Sequence, residues 1–175
     1  VQPELARNIA QQEVDCDVDW IQANLRPLLD SSRQGLSRVR DIVKQLRDFA
    51  RLDEAELDEL NLNDAVRSTL EVVKHEMQRH SIAAELALRE DLPKIICRPA
   101  KIHQVLYNLL LNAIQASQPD SRIVVRTLIE NEEQVAVEIE DFGCGIDPGQ
   151  MPRIFEPFFT TKPVGRGTGL GLAVT

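Results

Sequence analysis

The sequence is short of cysteines, aromatic residues and long apolar runs, and each shortage excludes a class of protein. Three cysteines (Cys16, Cys97 and Cys144) cannot all pair, and they form no CxxC or Cys/His metal spacing, so we expect reduced thiols in a cytosolic protein. Aromatic residues make up 4% of the chain and apolar residues 43%, which predicts a mostly aliphatic core. No uninterrupted apolar run exceeds three residues, which excludes a spanning helix within this sequence.

A surplus of basic residues is also missing. The 175 residues carry 28 acidic against 20 basic side chains, a formal charge of −8, which argues against nonspecific binding to nucleic acid. The sequence has no initiator Met, charged leader or cleavage site. We therefore expect a cytoplasmic fragment that makes no membrane contact itself, cut from a parent that could be membrane-anchored.

A heptad-like apolar stripe predicts a long helix in the first third of the chain. Additional apolar side chains widen the stripe towards the seam of a helical bundle. Such a stripe needs a partner helix, a second copy of itself, or both; the alternative is a helix packed on its own domain. The seam consists of Leu25, Leu29, Ser32, Leu36, Val39, Val43, Leu46 and Ala50, widened by Leu28, Ile42 and Phe49.

The rest of the chain predicts helices packed on one face of a mixed sheet, an α+β fold. The acid-rich stretch 53–59 predicts a solvated hinge, and Asn61 or Asn63 is expected to cap the next helix. Alternation over 82–88 predicts a strand, and residues 100–117 predict an apolar helix. Strands at 122–129 and 134–140 are expected to form a hairpin. The expected apolar face of the first of these helices is Val66, Leu70, Val73 and Met77.

Paired amides lie on the predicted apolar helix. Asn108 and Asn112 are four residues apart, so both side chains project from one face, one turn apart. Amides on so apolar a helix need polar partners. Taken alone, the pair is also compatible with ordinary surface or hydrogen-bonded core residues.

A glycine-rich segment follows the second hairpin strand, with the sequence Asp141-Phe142-Gly143-Cys144-Gly145. An acid at a strand end, followed by spaced glycines, lets backbone approach a flat ligand while the carboxylate accepts a hydrogen bond. An ordinary glycine turn is the alternative for this segment alone.

A second glycine-rich loop lies near the C-terminus, where FEPFFTTK over 155–162 runs into GRGTGLGL over 165–172. Such a loop frees N–H groups for phosphates at a helix N-terminus, with Lys162 and Arg166 as nearby cations. Neither the P-loop spacing nor the dinucleotide fingerprint is present. Interleaved leucines argue against a plain linker.

These three segments, in this order, resemble the N, G1, F and G2 boxes of two-component sensor histidine kinases, members of the GHKL ATPase superfamily. The resemblance covers roughly residues 60–175, and the helix ending at Arg51 is similar to the second helix of that family's dimerisation hairpin. It implies a long bundle-forming helix followed by a two-layer α/β sandwich with a mixed sheet. The expected divisions are a leading segment at 1–15, a dimerisation helix at 16–55 and a C-terminally truncated ATP-binding catalytic domain at 56–175.

The resemblance also implies roles for the base-binding and catalytic residues. Asp141 would accept from the adenine amine, and Gly143 and Gly145 would let the base lie against backbone. Asn112 would offer its amide oxygen to Mg²⁺. Asn108 stands where hydrolytic relatives carry a glutamate that activates water, so ATP hydrolysis is disfavoured.

Residues 155–172, which we call the lid, are expected to hold the phosphates of ATP. Phe158 and Phe159 would pin the lid at its base. The expected nucleotide-binding residues of this segment are Lys162, Arg166, Gly167, Thr168, Gly169, Leu170 and Gly171.

The implied function is an ATP-dependent protein-histidine kinase that acts as a homodimer and passes phosphate to the receiver domain of a response regulator. The alternative is a nucleotide-sensing GHKL module without phosphotransfer. The acceptor histidine is expected to be absent from this fragment, lost with the first hairpin helix. His75 and His80 are interpreted as helix-surface residues and His103 as a structural one.

Overall fold

The computed structural model describes residues 17–52, 56–163 and 167–175. Its elements are α1 (Val18–Leu52), β1 (Asp58–Leu60), α2 (Leu62–Arg79), β2 (Ala83–Leu88), β3 (Ile95–Cys97), α3 (Pro99–Ala116), β4 (Arg122–Ile129), β5 (Val135–Asp141) and a 3₁₀ turn (Met151–Arg153). The α+β class expected from the sequence is confirmed. The leading segment 1–15 lies outside the described residues.

Helix α1 is the long helix that the heptad-like stripe predicted. Its described seam side chains are all exposed, with Leu36 at 72% and Val39 at 58%. These side chains therefore do not pack on the rest of the described chain, contrary to the alternative of a helix covered by its own domain. Within the described ranges, no helix is both long and apolar enough to cross a membrane.

Helix α2 begins at a side-chain cap. The Asn61 Oδ1 atom accepts hydrogen bonds from the backbone N–H groups of Asn63 at 2.9 Å and Asp64 at 3.3 Å. These bonds satisfy two donors that the first helical turn leaves unpaired. All four apolar residues expected on the inner face of this helix are buried: Val66, Leu70, Val73 and Met77.

The expected hinge at 53–59 is wrong in its last part. Residues Asp58–Leu60 form β1, which pairs antiparallel with β3, so that Glu59 lies opposite Ile96. Residues 53–55 lie outside the described part of the chain. The strand forms because β3 pairs with it, and β3 lies more than 30 residues further along the chain. The local sequence of β1 is acidic and gives no sign of this pairing, so it suggested a solvated connection.

The core lies between the two helices and one face of the sheet. Leu110 and Ile114 of α3 and Ile123 and Val125 of β4 are all at most 1% exposed. Burying an aliphatic side chain of this size stabilises the fold by about 1.5–3 kcal/mol. The core is aliphatic, as the composition predicted, and it fixes α3 against the sheet.

The main sheet is mixed, with strand order β2-β4-β5. Strand β2 runs parallel to β4, and β4 runs antiparallel to β5 as the predicted hairpin. Pairing of Ile123 with Asp141 brings the end of β5 beside the start of β4. This register places the acidic residue at the margin of the sheet.

The outer face of the sheet, away from the helices, carries alternating charges. The Arg126 guanidinium donates to Glu140 at 2.8 Å and lies 3.9 Å from Glu138. Arg122 lies 3.5 Å from Glu85 on the neighbouring strand. Since all these side chains are well exposed, each pair adds at most about 1 kcal/mol to stability.

Candidate functional site

Helix α3 carries the paired amides, and Asn108 is engaged at both ends. Its Oδ1 atom accepts from Gln104 Nε2 at 3.0 Å, one turn earlier on the same helix. Its Nδ2 group donates to the carbonyl of Gly171 at 3.0 Å. Gln104 therefore orients the Asn108 amide, and Asn108 in turn holds the glycine-rich loop against α3.

Asn112 faces both the loop and the segment that carries Lys162, since a Cβ atom on Gly171 would lie 3.7 Å from the Asn112 Nδ2 atom. Its Oδ1 atom accepts a hydrogen bond of 3.1 Å from the Lys162 ammonium. The same ammonium also donates to Gln115 Oε1. Two amide oxygens on one side of α3 thus bind a single cation from a segment about 50 residues away.

The Lys162 ammonium is half-buried and bonded to neutral acceptors alone among the described residues. Burial lowers the pKa of this ammonium below its ordinary value, because desolvation disfavours the charged form. No described carboxylate forms an ion pair with it. The positive charge is therefore available to an anionic ligand.

The end of β5 packs on the C-terminal end of α3. A Cβ atom on Gly143 would lie 2.3 Å from the carbonyl oxygen of Ala116, so only glycine fits at this approach. The N–H of Cys144 donates to that same oxygen at 3.3 Å. Asp141 is exposed at the strand end, and its Oδ1 atom accepts from the Gly143 N–H at 3.0 Å. Its other oxygen accepts from no described residue.

The lid is held by backbone rather than by aromatic rings. Phe158 and Gly169 both have positive φ, at 68° each, and the Phe158 N–H donates to the Gly169 carbonyl at 2.8 Å. Phe158 is 59% exposed, so its ring is not buried at the base of the lid as expected. The Phe159 ring is half-buried and lies 4.5 Å from the Arg153 guanidinium.

The glycine-rich loop is close-packed where the structure describes it. A Cβ atom on Gly167 would meet Thr160 Oγ1 at 2.6 Å. Leu170 is buried, at 4% exposure, and its N–H donates to Thr168 Oγ1 at 3.4 Å. Arg166 lies outside the described residues.

The helix whose N-terminus was expected at this loop is reduced to one turn in residues 171–174. A single hydrogen bond, from the Val174 N–H to the Leu170 carbonyl at 3.2 Å, has helical spacing. Isolated short helices are marginal, because the first turn orders several residues for one bond. No helix is assigned to this segment.

The predicted residues fall into two groups along α3. Asn108, Asn112, Lys162 and Gly171 come together on its middle turns, and Asp141 with Gly143 lies at its C-terminal end, beside Ala116. Gly145 has a φ of +69° and open space around its Cα position. The one described hydrogen bond of Gly145 is local, from the Cys144 Sγ atom to the Gly145 carbonyl at 3.6 Å. No described hydrogen bond joins Gly145 to Asn108 or Asn112.

Two glutamines in the site were missed by sequence reasoning. Gln104 bonds Asn108, and Gln115 bonds Lys162. Both lie at i±3 or i±4 positions from the paired asparagines, so helical spacing alone could have placed them on the same face. Among the described residues, no group of three or more His, Cys, Asp or Glu side chains could hold a metal ion.

The histidines stand outside this site. His75 is exposed on α2, and His80 forms its C-terminal cap. The His103 Nδ1 atom lies 3.1 Å from the hydroxyl of buried Thr69, which is a structural contact between α2 and α3.

A mixed sheet covered on one face by helices, with a glycine-rich strand end and a glycine-rich lid meeting on one helix, defines a nucleotide-binding α+β domain. The profile of the histidine kinase-, DNA gyrase B-, and HSP90-like ATPase family matches residues 97–175. Over 80% of its length the chain is 35% identical to the signal transduction histidine-protein kinase AtoS of Escherichia coli (strain K12). It spans only 23% of AtoS.

Solved structures of histidine kinases are also similar to this chain. The catalytic domain of histidine kinase ThkA is 30% identical, with a TM-score of 0.61 over 68% of this chain and 76% of that one. Full-length ShkA in complex with AMPPNP is 27% identical, with a TM-score of 0.65 over 79% of this chain and 29% of that one. ThkA in complex with the response regulator protein TrrA shares the fold, at 22% identity and a TM-score of 0.62, over 91% of this chain and 51% of that one.

The chain therefore belongs to the sensor histidine kinases and carries their GHKL-type ATP-binding domain. This confirms the family and the fold that the sequence motifs implied.

Proposed function

We propose that this chain is the ATP-binding part of a protein-histidine kinase whose complete form transfers the γ-phosphate of ATP to a histidine, for relay to a response-regulator aspartate. In this proposal residues 16–55 are the dimerisation helix and residues 56–175 the catalytic domain. The observation that carries it is the meeting of Asn108, Asn112 and Lys162 on α3. Two oriented amides and a cation fit a triphosphate, and neither amide can act as a general base for water.

Asn112 is suited to hold Mg²⁺. Its amide oxygen accepts from an ammonium in this structure, so it faces a position where a cation is tolerated. Magnesium prefers hard oxygen ligands, keeps several waters and takes few protein groups, which agrees with a single amide here. When bound, the ion would neutralise charge on the triphosphate oxygens.

Asp141 is suited to select adenine. Its exposed carboxylate accepts from the Gly143 N–H through one oxygen and leaves the other for the exocyclic amine. Guanine places a carbonyl at that position, which a carboxylate would repel. Gly143 brings backbone, rather than a side chain, to the edge of the base site.

Asn108 supports phosphoryl transfer over hydrolysis. An amide cannot take a proton from water, and both ends of this amide are already bonded within the chain. Its role is to hold Gly171 and the loop behind the phosphates. In this proposal Gly145 shapes the base site, while Arg166, Gly167, Thr168, Gly169 and Leu170 form the loop around the phosphates.

The exposed seam of α1 supports a homodimer through a helical bundle. Several aliphatic side chains at heptad spacing, among them Leu36 and Val39, are more than half exposed in the single chain. Burying such a stripe against a second copy follows the usual symmetric pairing of oligomers. A response regulator is the proposed phosphate recipient, as ThkA is seen in complex with TrrA.

The deciding experiment incubates the complete protein with ATP that carries a radiolabelled γ-phosphate. Acid-labile, base-stable label on the protein is expected, because phosphohistidine has that stability. Release of free phosphate alone would instead indicate an ATPase. Nucleotide binding with neither outcome would indicate a sensing module and contradict the proposal.

Asp141→Asn tests the adenine assignment separately from catalysis. We expect ATP affinity to fall about 10–100-fold, since a hydrogen bond to a charged group is worth ~1.5–3 kcal/mol. Asp147→Asn is the matched control, because its exposed carboxylate accepts a local hydrogen bond of 2.7 Å from the Gly149 N–H, as the Asp141 carboxylate accepts from the Gly143 N–H. Equal affinities of the two variants, measured by calorimetry, would remove Asp141 from the site.

A further inference from the structure

The Lys162 ammonium is shared between two amide oxygens of unequal exposure. Asn112 is half-buried, and Gln115, one turn further along α3, is exposed. Both accept from the ammonium, so the lid segment that carries Lys162 is joined to α3 at two adjacent points. Gln115 has no other assigned part in the site.

A divalent cation and the ammonium cannot share the Asn112 oxygen. Two positive charges within a few ångströms of each other repel strongly at a partly buried position. When Asn112 binds magnesium, Lys162 must therefore leave that oxygen. The Gln115 oxygen then remains as its only described protein partner, and the ammonium stays within reach of the phosphates.

We propose that Gln115 is a positioning residue of the nucleotide site, which keeps Lys162 beside α3 while the ammonium exchanges between the Asn112 oxygen and a phosphate oxygen. This inference rests on the proposed function. A neutral acceptor suits the role, because it holds the ammonium without cancelling its charge. A carboxylate at this position would form an ion pair that competes with phosphate.

The test compares Gln115→Ala and Gln115→Glu with the wild-type chain, each also in a Lys162→Met background. Hydrogen exchange of the nucleotide-free protein reports on the lid peptide covering 158–163, and calorimetry reports Mg–ADP affinity. Gln78→Ala is the matched control, an exposed glutamine on α2 away from the site.

We expect Gln115→Ala to raise exchange of the lid peptide about fivefold, as loss of one hydrogen bond would. Gln115→Glu should slow that exchange and weaken Mg–ADP binding about tenfold, because a charged pair is stronger than a neutral one. In the Lys162→Met background both effects should vanish, and Gln78→Ala should change nothing.

Two outcomes would overturn the inference. Unchanged lid exchange in both Gln115 variants would mean that the residue does not hold the lid. Equal effects with and without Lys162 would mean that Gln115 acts on the nucleotide directly. If neither the wild-type chain nor any variant binds Mg–ADP, the proposed function fails. Hydrogen exchange of the lid peptide in the nucleotide-free proteins still decides whether Gln115 holds Lys162.

Discussion

Gly143→Ala is the substitution for which the structure gives the clearest magnitude. The added Cβ atom would lie 2.3 Å from the carbonyl oxygen and 2.5 Å from the carbonyl carbon of Ala116. Both are backbone atoms near the end of α3, so no side-chain rotation can relieve the contact. The end of β5 and the end of α3 must instead move apart.

The required movement sets the expected losses. Ordinary contacts begin at 3.4 Å, so the backbone must open by about 1 Å. Overpacking of this kind costs about 1–3 kcal/mol of folding free energy. Loss of the hydrogen bond from Cys144 to Ala116 adds about 1 kcal/mol. Asp141 shifts with the loop, and losing its proposed bond to adenine would weaken ATP binding about 10–100-fold.

Gly145→Ala is the matched comparison for this experiment. Gly145 has a φ of +69° and no atom within 4 Å of an added Cβ. An alanine there is expected to cost about 1 kcal/mol of backbone strain without pushing the segment away from α3. Urea denaturation measures the stability of both variants, and calorimetry with a non-hydrolysable ATP analogue measures affinity. If Gly143→Ala is no worse than Gly145→Ala in either quantity, the described packing of β5 on α3 is incorrect.

Three further predictions test other parts of the chain. Asn112→Asp should change the Mg²⁺ concentration needed for nucleotide binding, because a carboxylate pairs more strongly with Lys162 and with the ion; a wild-type magnesium titration would contradict the metal role. Leu36→Asp should lower the mass seen by light scattering, and an unchanged mass would exclude the α1 seam as the dimer interface. Iodoacetamide should label exposed Cys144 before Cys97, whose thiol pKa is raised first by burial and then by the charge of Asp58. At pH 8 the raised pKa leaves Cys97 with less thiolate than an ordinary cysteine. ADP should slow the labelling of Cys144 but not that of Cys97, and equal labelling rates for the two would contradict this order.

Local sequence signals predicted the elements of the fold well. The cap at Asn61, the buried face of α2 and the β4–β5 hairpin each follow from residues within a few positions of one another. Strand β1 was missed because its three residues carry two acids and gain their structure from β3, which is far along the chain. Long-range pairing of this kind leaves little local pattern.

The candidate site divides in the same way. The asparagine pair and the glycine loops could be recognised from spacing, but their contacts could not. Lys162 reaches Gln115 across 47 residues, and Phe158 contributes its backbone rather than its ring. Such contacts depend on how the lid folds over α3, which no local periodicity encodes.

The alternating charges on the outer face of the sheet have a consequence for solubility. Stacking two such faces would strip water from Arg126, Glu138 and Glu140 without offering any of them a better partner. Precipitation by sheet stacking is thereby opposed even when the chain is concentrated, whereas the aliphatic stripe on α1 has no such protection. Concentrated copies are accordingly expected to associate along that helix rather than face to face on the sheet.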